Sequence, residues 1–134
     1  MKRVLVDSNV ILDVFLNDSD WVDRSETLLE EISHQAILYI NAIIYSEVSI
    51  SFGRIEDMEA AIAKAGFQML EIPREALFLA GKAYRQYKKR GGAKSSPLPD
   101  FYIGAQAAVL HLDLLTRDIP RYRTYFPSVR LITP

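Results

Sequence analysis

The sequence has 134 residues, enough for one domain (1–134) that buries roughly two-thirds of its unfolded surface. It has no cysteine, which excludes a disulfide framework and a thiolate metal site, and its two histidines, His34 and His111, are too far apart to suggest a zinc hydrolase. A formal net charge of −1 gives no global bias toward nucleic acid, so any such surface must be local.

Val4-Leu5-Val6 reads as a first strand, apolar throughout as a doubly covered parallel strand should be, and it ends on Asp7-Ser8-Asn9. Met1-Lys2-Arg3 ahead of it faintly imitates a signal peptide. Asp7, Asn9 and Asp13 interrupt the apolar run, which points to a soluble cytoplasmic protein. Ser8 or Asn9 can cap a helix over about 10–16, and a second helix is expected over 21–34, with Val22, Leu29, Ile32 and Ala36 on one face. A second strand (36–40) leads through Asn41 into a mostly apolar helix (42–52) in which Glu47 stands out. Then follow a helix over 55–65 closed by Gly66, a strand over 67–72 stopped by Pro73, and a long helix over 74–90 with Leu77, Ala80, Tyr84 and Tyr87 inward. Gly91-Gly92 ends that helix, and 93–97 is a loop.

Pro97 and Pro99 disfavour helix before Asp100, which places this carboxylate at a helix start, facing unpaired N–H groups and the positive end of the dipole. The eleven residues after it carry no charge, and Gly104, Ala105, Ala107 and Ala108 allow close backbone approach, so the helix is expected to be buried. A short strand (112–116) then ends on Arg117-Asp118, 119–127 reads as irregular, and 128–132 is a last strand. Strands alternate with helices throughout, which predicts an α/β fold with a central parallel sheet of about five short strands.

In such a sheet the site lies beyond the carboxyl ends of the strands and at the helix N-termini there. Asp7 after the first strand and Asp118 after the fourth would share that edge, with Asp100 and Glu47 joining them. Each has a bland alternative: Asp7 and Asp100 as helix caps, Asp118 as a turn residue, Glu47 at a solvent-facing gap. Four carboxylates gathered within a few ångströms repel, so they make sense together only with a cation or with raised pKa values. Hard oxygen donors of this kind suit Mg2+ or Mn2+.

Asp7-Ser8-Asn9, the lone Glu47, the Pro99-Asp100 helix start and Thr116-Arg117-Asp118, in this order and at these intervals, resemble the PIN domain and especially the VapC-type toxins of type II toxin–antitoxin pairs. The resemblance covers the whole chain. It implies a three-layer α/β/α fold and a Mg2+- or Mn2+-dependent endoribonuclease, usually homodimeric and inhibited by a small VapB-like antitoxin. It further implies that Asp7, Glu47, Asp100 and Asp118 are the metal-binding catalytic acids, with Ser8, Asn9 and Thr116 orienting them; Ser8 stands where the family often has Thr. Water would attack the scissile phosphate in line, leaving a 5′-phosphate and a 3′-hydroxyl. The alternative is a non-catalytic PIN-like module that holds RNA or a partner without cutting. A receiver-like phosphohydrolase would need a Lys after a late strand, and none follows the fourth or fifth.

Lys88, Lys89, Arg90 and Lys94 form the densest basic run. They suit the end of a helix dipole, and because the chain then leads to Asp100 they are also candidates for RNA phosphates, as are Arg117 and Arg121 beside Asp118. Gly91-Gly92-Ala93-Lys94-Ser95 only superficially imitates a phosphate-binding P-loop, because Ala93 and Lys88 stand where that motif requires glycine. Asp13, Asp18, Asp20, Asp23, Asp57 and Asp113 are expected in solvent, both histidines as structural or exposed, and Tyr84 and Tyr87 as core.

Overall fold

Five strands, β1 (Lys2–Val6), β2 (Ala36–Ile40), β3 (Gln68–Met69), β4 (Asp113–Leu115) and β5 (Leu131–Ile132), pair in parallel in the order β3-β2-β1-β4-β5. They belong to a computed structural model that describes residues 1–92 and 98–134. Seven helices lie among the described residues: α1 (Ser8–Phe15), α2 (Val22–Ser33), α3 (Ala42–Ser49), α4 (Ile55–Ala65), α5 (Arg74–Lys89), α6 (Leu98–Leu110) and α7 (Ile119–Tyr125). The expected α/β fold with a parallel sheet is the observed one.

The middle strand β1 carries Val4, Leu5 and Val6 fully into the core, with Val4 opposite Leu38 on one side and Val6 opposite Leu115 on the other. The chain winds outward from β1 in both directions. That makes β1 the switch point, where the connections diverge and leave a crevice beyond the carboxyl ends. Asp7 follows β1 directly, Asn41 follows β2, and Thr116 follows β4. Helix α6 packs on α5 and α3, and α1 packs on α2 and α3. Phe101 on α6 centres an aromatic cluster, its ring 5.4–6.0 Å from those of Tyr84, Tyr87, Tyr125 and Phe126, so Tyr84 and Tyr87, expected as core, pack half-buried against it.

Several local expectations are corrected. Residues 119–127 are not irregular: most of them form α7, because Pro120 sits in the first helical turn, where a missing N–H costs nothing, and Tyr122 and Phe126 bury one helical face. Helix α6 begins at Leu98, before Asp100, for the same reason: Pro99 lies in its first turn. The third strand shrinks from 67–72 to Gln68–Met69. It is an edge strand, and the Leu70 and Glu71 carbonyls accept from the Gln106 side chain instead of from another strand. The inward face of α5 runs through Ala76, Ala80 and Ala83, and Leu77 is largely exposed. Lys94 and the rest of the expected loop lie outside the described residues.

Candidate active site

Asp7 is the most deeply set acid of the crevice. It is buried and caps α1, its Oδ1 accepting from the Ser8 backbone N–H at 2.7 Å. This corrects the expectation that Ser8 or Asn9 caps this helix. Its Oδ2 accepts from the Thr116 hydroxyl at 2.8 Å and the Tyr122 hydroxyl at 3.1 Å. Burial pushes the Asp7 carboxyl up, against the pull of these donors, and the nearby Glu47 charge adds to the rise. Tyr122, itself fully buried, remains a neutral donor because burial and the Asp7 charge raise its phenol well above the usual range.

Glu47 reaches the same crevice from α3, whose first turn is fixed by the Asn41 side chain accepting from the Ile44 N–H at 2.8 Å. The Ser8 hydroxyl lies 3.0 Å from Glu47 Oε1 and 3.4 Å from Asp7 Oδ1, so it joins the two acids. Burial raises the Glu47 pKa, the Ser8 bond opposes this, and Asp100 adds repulsion. Asn41 also donates to Gln106 on α6 at 2.7 Å, which ties the helix of Glu47 to the helix of Asp100.

Asp100 and Asp118 are bridged by Arg121. One guanidinium nitrogen, Nη1, contacts Asp100 Oδ2 closely and Asp118 Oδ2 at 3.2 Å. Burial and the Asp7 charge push the Asp100 carboxyl up to about 6 even so. Asp118 caps α7 through its backbone position, and its own N–H donates to the Thr116 hydroxyl at 3.0 Å. Thr116 therefore links Asp7 to the start of α7, and Asn9 completes the junction by donating to Thr116 at 3.4 Å and accepting from the Arg117 N–H at 3.2 Å.

The donor set is chemically right for a hard divalent cation: carboxylate oxygens, several of them with proton affinities raised by burial and by one another. As placed, no three His, Asp or Glu side chains among the described residues stand at the spacing of ligands on a single ion. Ser8 holds one pair of acids and Arg121 the other.

Three further residues depart from the sequence reading. Asp13 is buried, not in solvent. It accepts from Arg117 Nε and Nη2, both at 2.9 Å, and from the Ser25 hydroxyl at 2.7 Å. Arg117, a phosphate candidate, is thereby engaged inside the chain, and its guanidinium also lies over the Trp21 ring at 4.7 Å. Arg121, the other candidate on this side, is engaged by the acids themselves. Lys88, Lys89 and Arg90 are exposed at the end of α5. Tyr122 escaped the sequence reading altogether; the signal was its i,i+4 spacing with Phe126 directly after Asp118.

Comparison with known proteins agrees with this fold. A family model described as the PIN domain matches residues 4–126. The Ribonuclease VapC1 of Methanocaldococcus jannaschii is 30% identical over 117 residues, spanning 87% of this chain and 76% of that protein. Among solved structures, VapBC2 from Rickettsia felis bound to a promoter DNA fragment superposes with a TM-score of 0.76 at 14% identity, covering 98% of both chains. A toxin–antitoxin complex from Klebsiella pneumoniae gives 0.71 at 22% identity over 98% of this chain and 97% of that one.

Proposed function

The chain belongs to the PIN-domain family, and from that premise we propose that it is a divalent-metal-dependent endoribonuclease, the toxin of a toxin–antitoxin pair. What supports this reading is the pairing of Asp7 with Glu47 through Ser8 and of Asp100 with Asp118 through Arg121, with three of the four carboxyls raised by burial and by one another. Raised carboxyls are what mutual repulsion and burial produce, and a cation relieves both. The four acids would hold Mg2+ or Mn2+, which when bound supplies charge stabilisation to the phosphate oxygens and acidifies the attacking water.

The chain's own residues prepare the site. Thr116 and Tyr122 fix Asp7 Oδ2, Ser8 couples Asp7 to Glu47, and Asn9 and Thr116 fix the backbone around Asp118. Acids oriented in advance need little rearrangement when charge develops on the substrate. Water attacks phosphorus in line and the P–O3′ bond breaks, leaving a 5′-phosphate on one fragment and a 3′-hydroxyl on the other. Lys88, Lys89, Arg90 and Lys94 are the proposed phosphate contacts. The partner is a VapB-like antitoxin, supported by the VapBC complexes among the structural neighbours, and the chain is proposed to be a homodimer. No described helix is long and apolar enough to cross a membrane.

The test is cleavage of mixed cellular RNA in a Mg2+ and Mn2+ titration, with end-group analysis of the products. Asp7→Asn and Asp100→Asn should each lower the rate at least about a hundredfold, and the cognate antitoxin should stop cleavage by the wild type. Wild-type rates in both variants at saturating metal, or RNA binding without any metal-dependent cutting, would favour the non-catalytic module.

A further inference from the structure

Two arginines of the chain grip acids beside this crevice, and they do so differently. Arg117 binds the buried Asp13 with two prongs, Nε and Nη2, in the planar fork that suits a permanent ion pair. Arg121 instead shares the single nitrogen Nη1 between Asp100 and Asp118, as a point charge would. Its partners are less enclosed: the side chains of Arg121, Asp100 and Asp118 are 26%, 17% and 36% exposed, against 3% for Asp13. Among the described residues, Arg121 is also the sole cation in a salt bridge with any of the four acids; Asp7 and Glu47 are met by backbone and side-chain N–H and O–H groups.

We propose that Arg121 is the internal counter-ion of the acid cluster: it holds Asp100 and Asp118 in the cation-free protein, and a divalent cation must displace it to take both acids. Arg121 then sets the affinity of the site for metal, and removing its charge tightens metal binding. This rests on the metal-site reading above and adds the residue that competes with the ion. The opposite role, a clamp that assembles the acids for the ion, uses the same contacts and predicts the opposite sign. The single-nitrogen bridge favours the first. A clamp gains from the bidentate fork that the chain builds at Arg117, whereas a shared point charge occupies the position a cation between two carboxylates would take. The connection is also short. Arg121 lies three residues after Asp118 in the first turn of α7, so the guanidinium can leave by rotation of its own side chain with α7 in place.

The experiment is a Mn2+ binding titration, read from the free-ion paramagnetic resonance signal, on wild type and on Arg121→Gln, Arg121→Met, Arg121→Lys and Asp100→Asn, with circular dichroism to verify folding. Loss of the competing charge should tighten Mn2+ binding by about two- to fivefold in the Gln and Met variants, the range expected for a partly shielded ion pair. Arg121→Lys should stay near wild type, because it keeps the charge. In chelator, the Gln and Met variants should melt below wild type and regain more on adding Mn2+. Unchanged or weaker binding in both, with Asp100→Asn still abolishing it, overturns the counter-ion role and leaves the metal site standing. Equal tightening in Arg121→Lys overturns it too. Wild-type Mn2+ affinity in Asp100→Asn removes the metal-site reading and this inference with it.

Discussion

Asp100 is the residue at which the electrostatics of the site become measurable without substrate. Burial first, then the Asp7 charge, lifts its carboxyl from 3.8 to about 6 against the restraint of Arg121. An acid whose folded pKa lies above its unfolded value binds its proton more tightly when folded. Its contribution to stability is therefore complete below the unfolded value and lost as pH rises through the folded one. In chelator, raising the pH from about 5 to about 7 should lower the melting temperature of wild type more than that of Asp100→Asn. Parallel curves for the two proteins would contradict the assignment. The four acids stood out as candidates through their order and intervals together, since each local setting alone (a strand end, an apolar helix, a proline-marked helix start) also suits a cap, a turn or a solvent-facing residue. Their partners did not. Asp13 looked like a surface residue because Arg117 lies 104 positions further on, and Tyr122 reaches Asp7 across 115; no local pattern encodes a contact of that span.

At the scale of elements, the sequence spoke most clearly where periodicity runs long. Helices α2, α4 and α5 have enough turns to display one face, whereas β3 has two residues and α7 seven, too few for a period to stand out. The packing of α6 against the end of α7 shows what the small residues of α6 are for. A Cβ on Gly104 would come within 2.3 Å of the Phe126 ring, deep in the aromatic cluster around Phe101. Helix propensity alone says that Gly104→Ala should stabilise α6 by about 1 kcal/mol. Overpacking says it should cost about 1–3 kcal/mol, and in this buried setting overpacking wins. Because α6 carries Asp100 and α7 carries Arg121, the same change should disturb the bridge between them. Urea unfolding decides the sign: a midpoint at or above wild type would show that the ring yields. Recovery in the Gly104→Ala/Phe126→Leu double variant would trace the strain to this contact.

For the whole molecule, the topology accounts for why residues 7, 47, 100 and 118 meet at all. Sheet order β3-β2-β1-β4-β5 puts the carboxyl ends of β1 and β4 side by side, and the Asn41–Gln106 bond brings α3 and α6 together above them. Alternation of strands and helices made that architecture readable from sequence, since it leaves a parallel sheet as the economical solution and fixes which edge holds the site. Folding therefore gathers like charges that the unfolded chain keeps apart, and a cation that binds the gathered set binds the dispersed one far less. The most direct measurement is a thermal melt of wild type and of Asp7→Asn, Glu47→Gln, Asp100→Asn and Asp118→Asn, each in chelator and across a Mg2+ or Mn2+ titration. Metal should raise the melting temperature of wild type in proportion to the logarithm of its concentration, all four variants should respond less, and at least two should melt no lower than wild type in chelator. Uniform destabilisation of the four variants with an undiminished metal response would mean that these acids do not form one site.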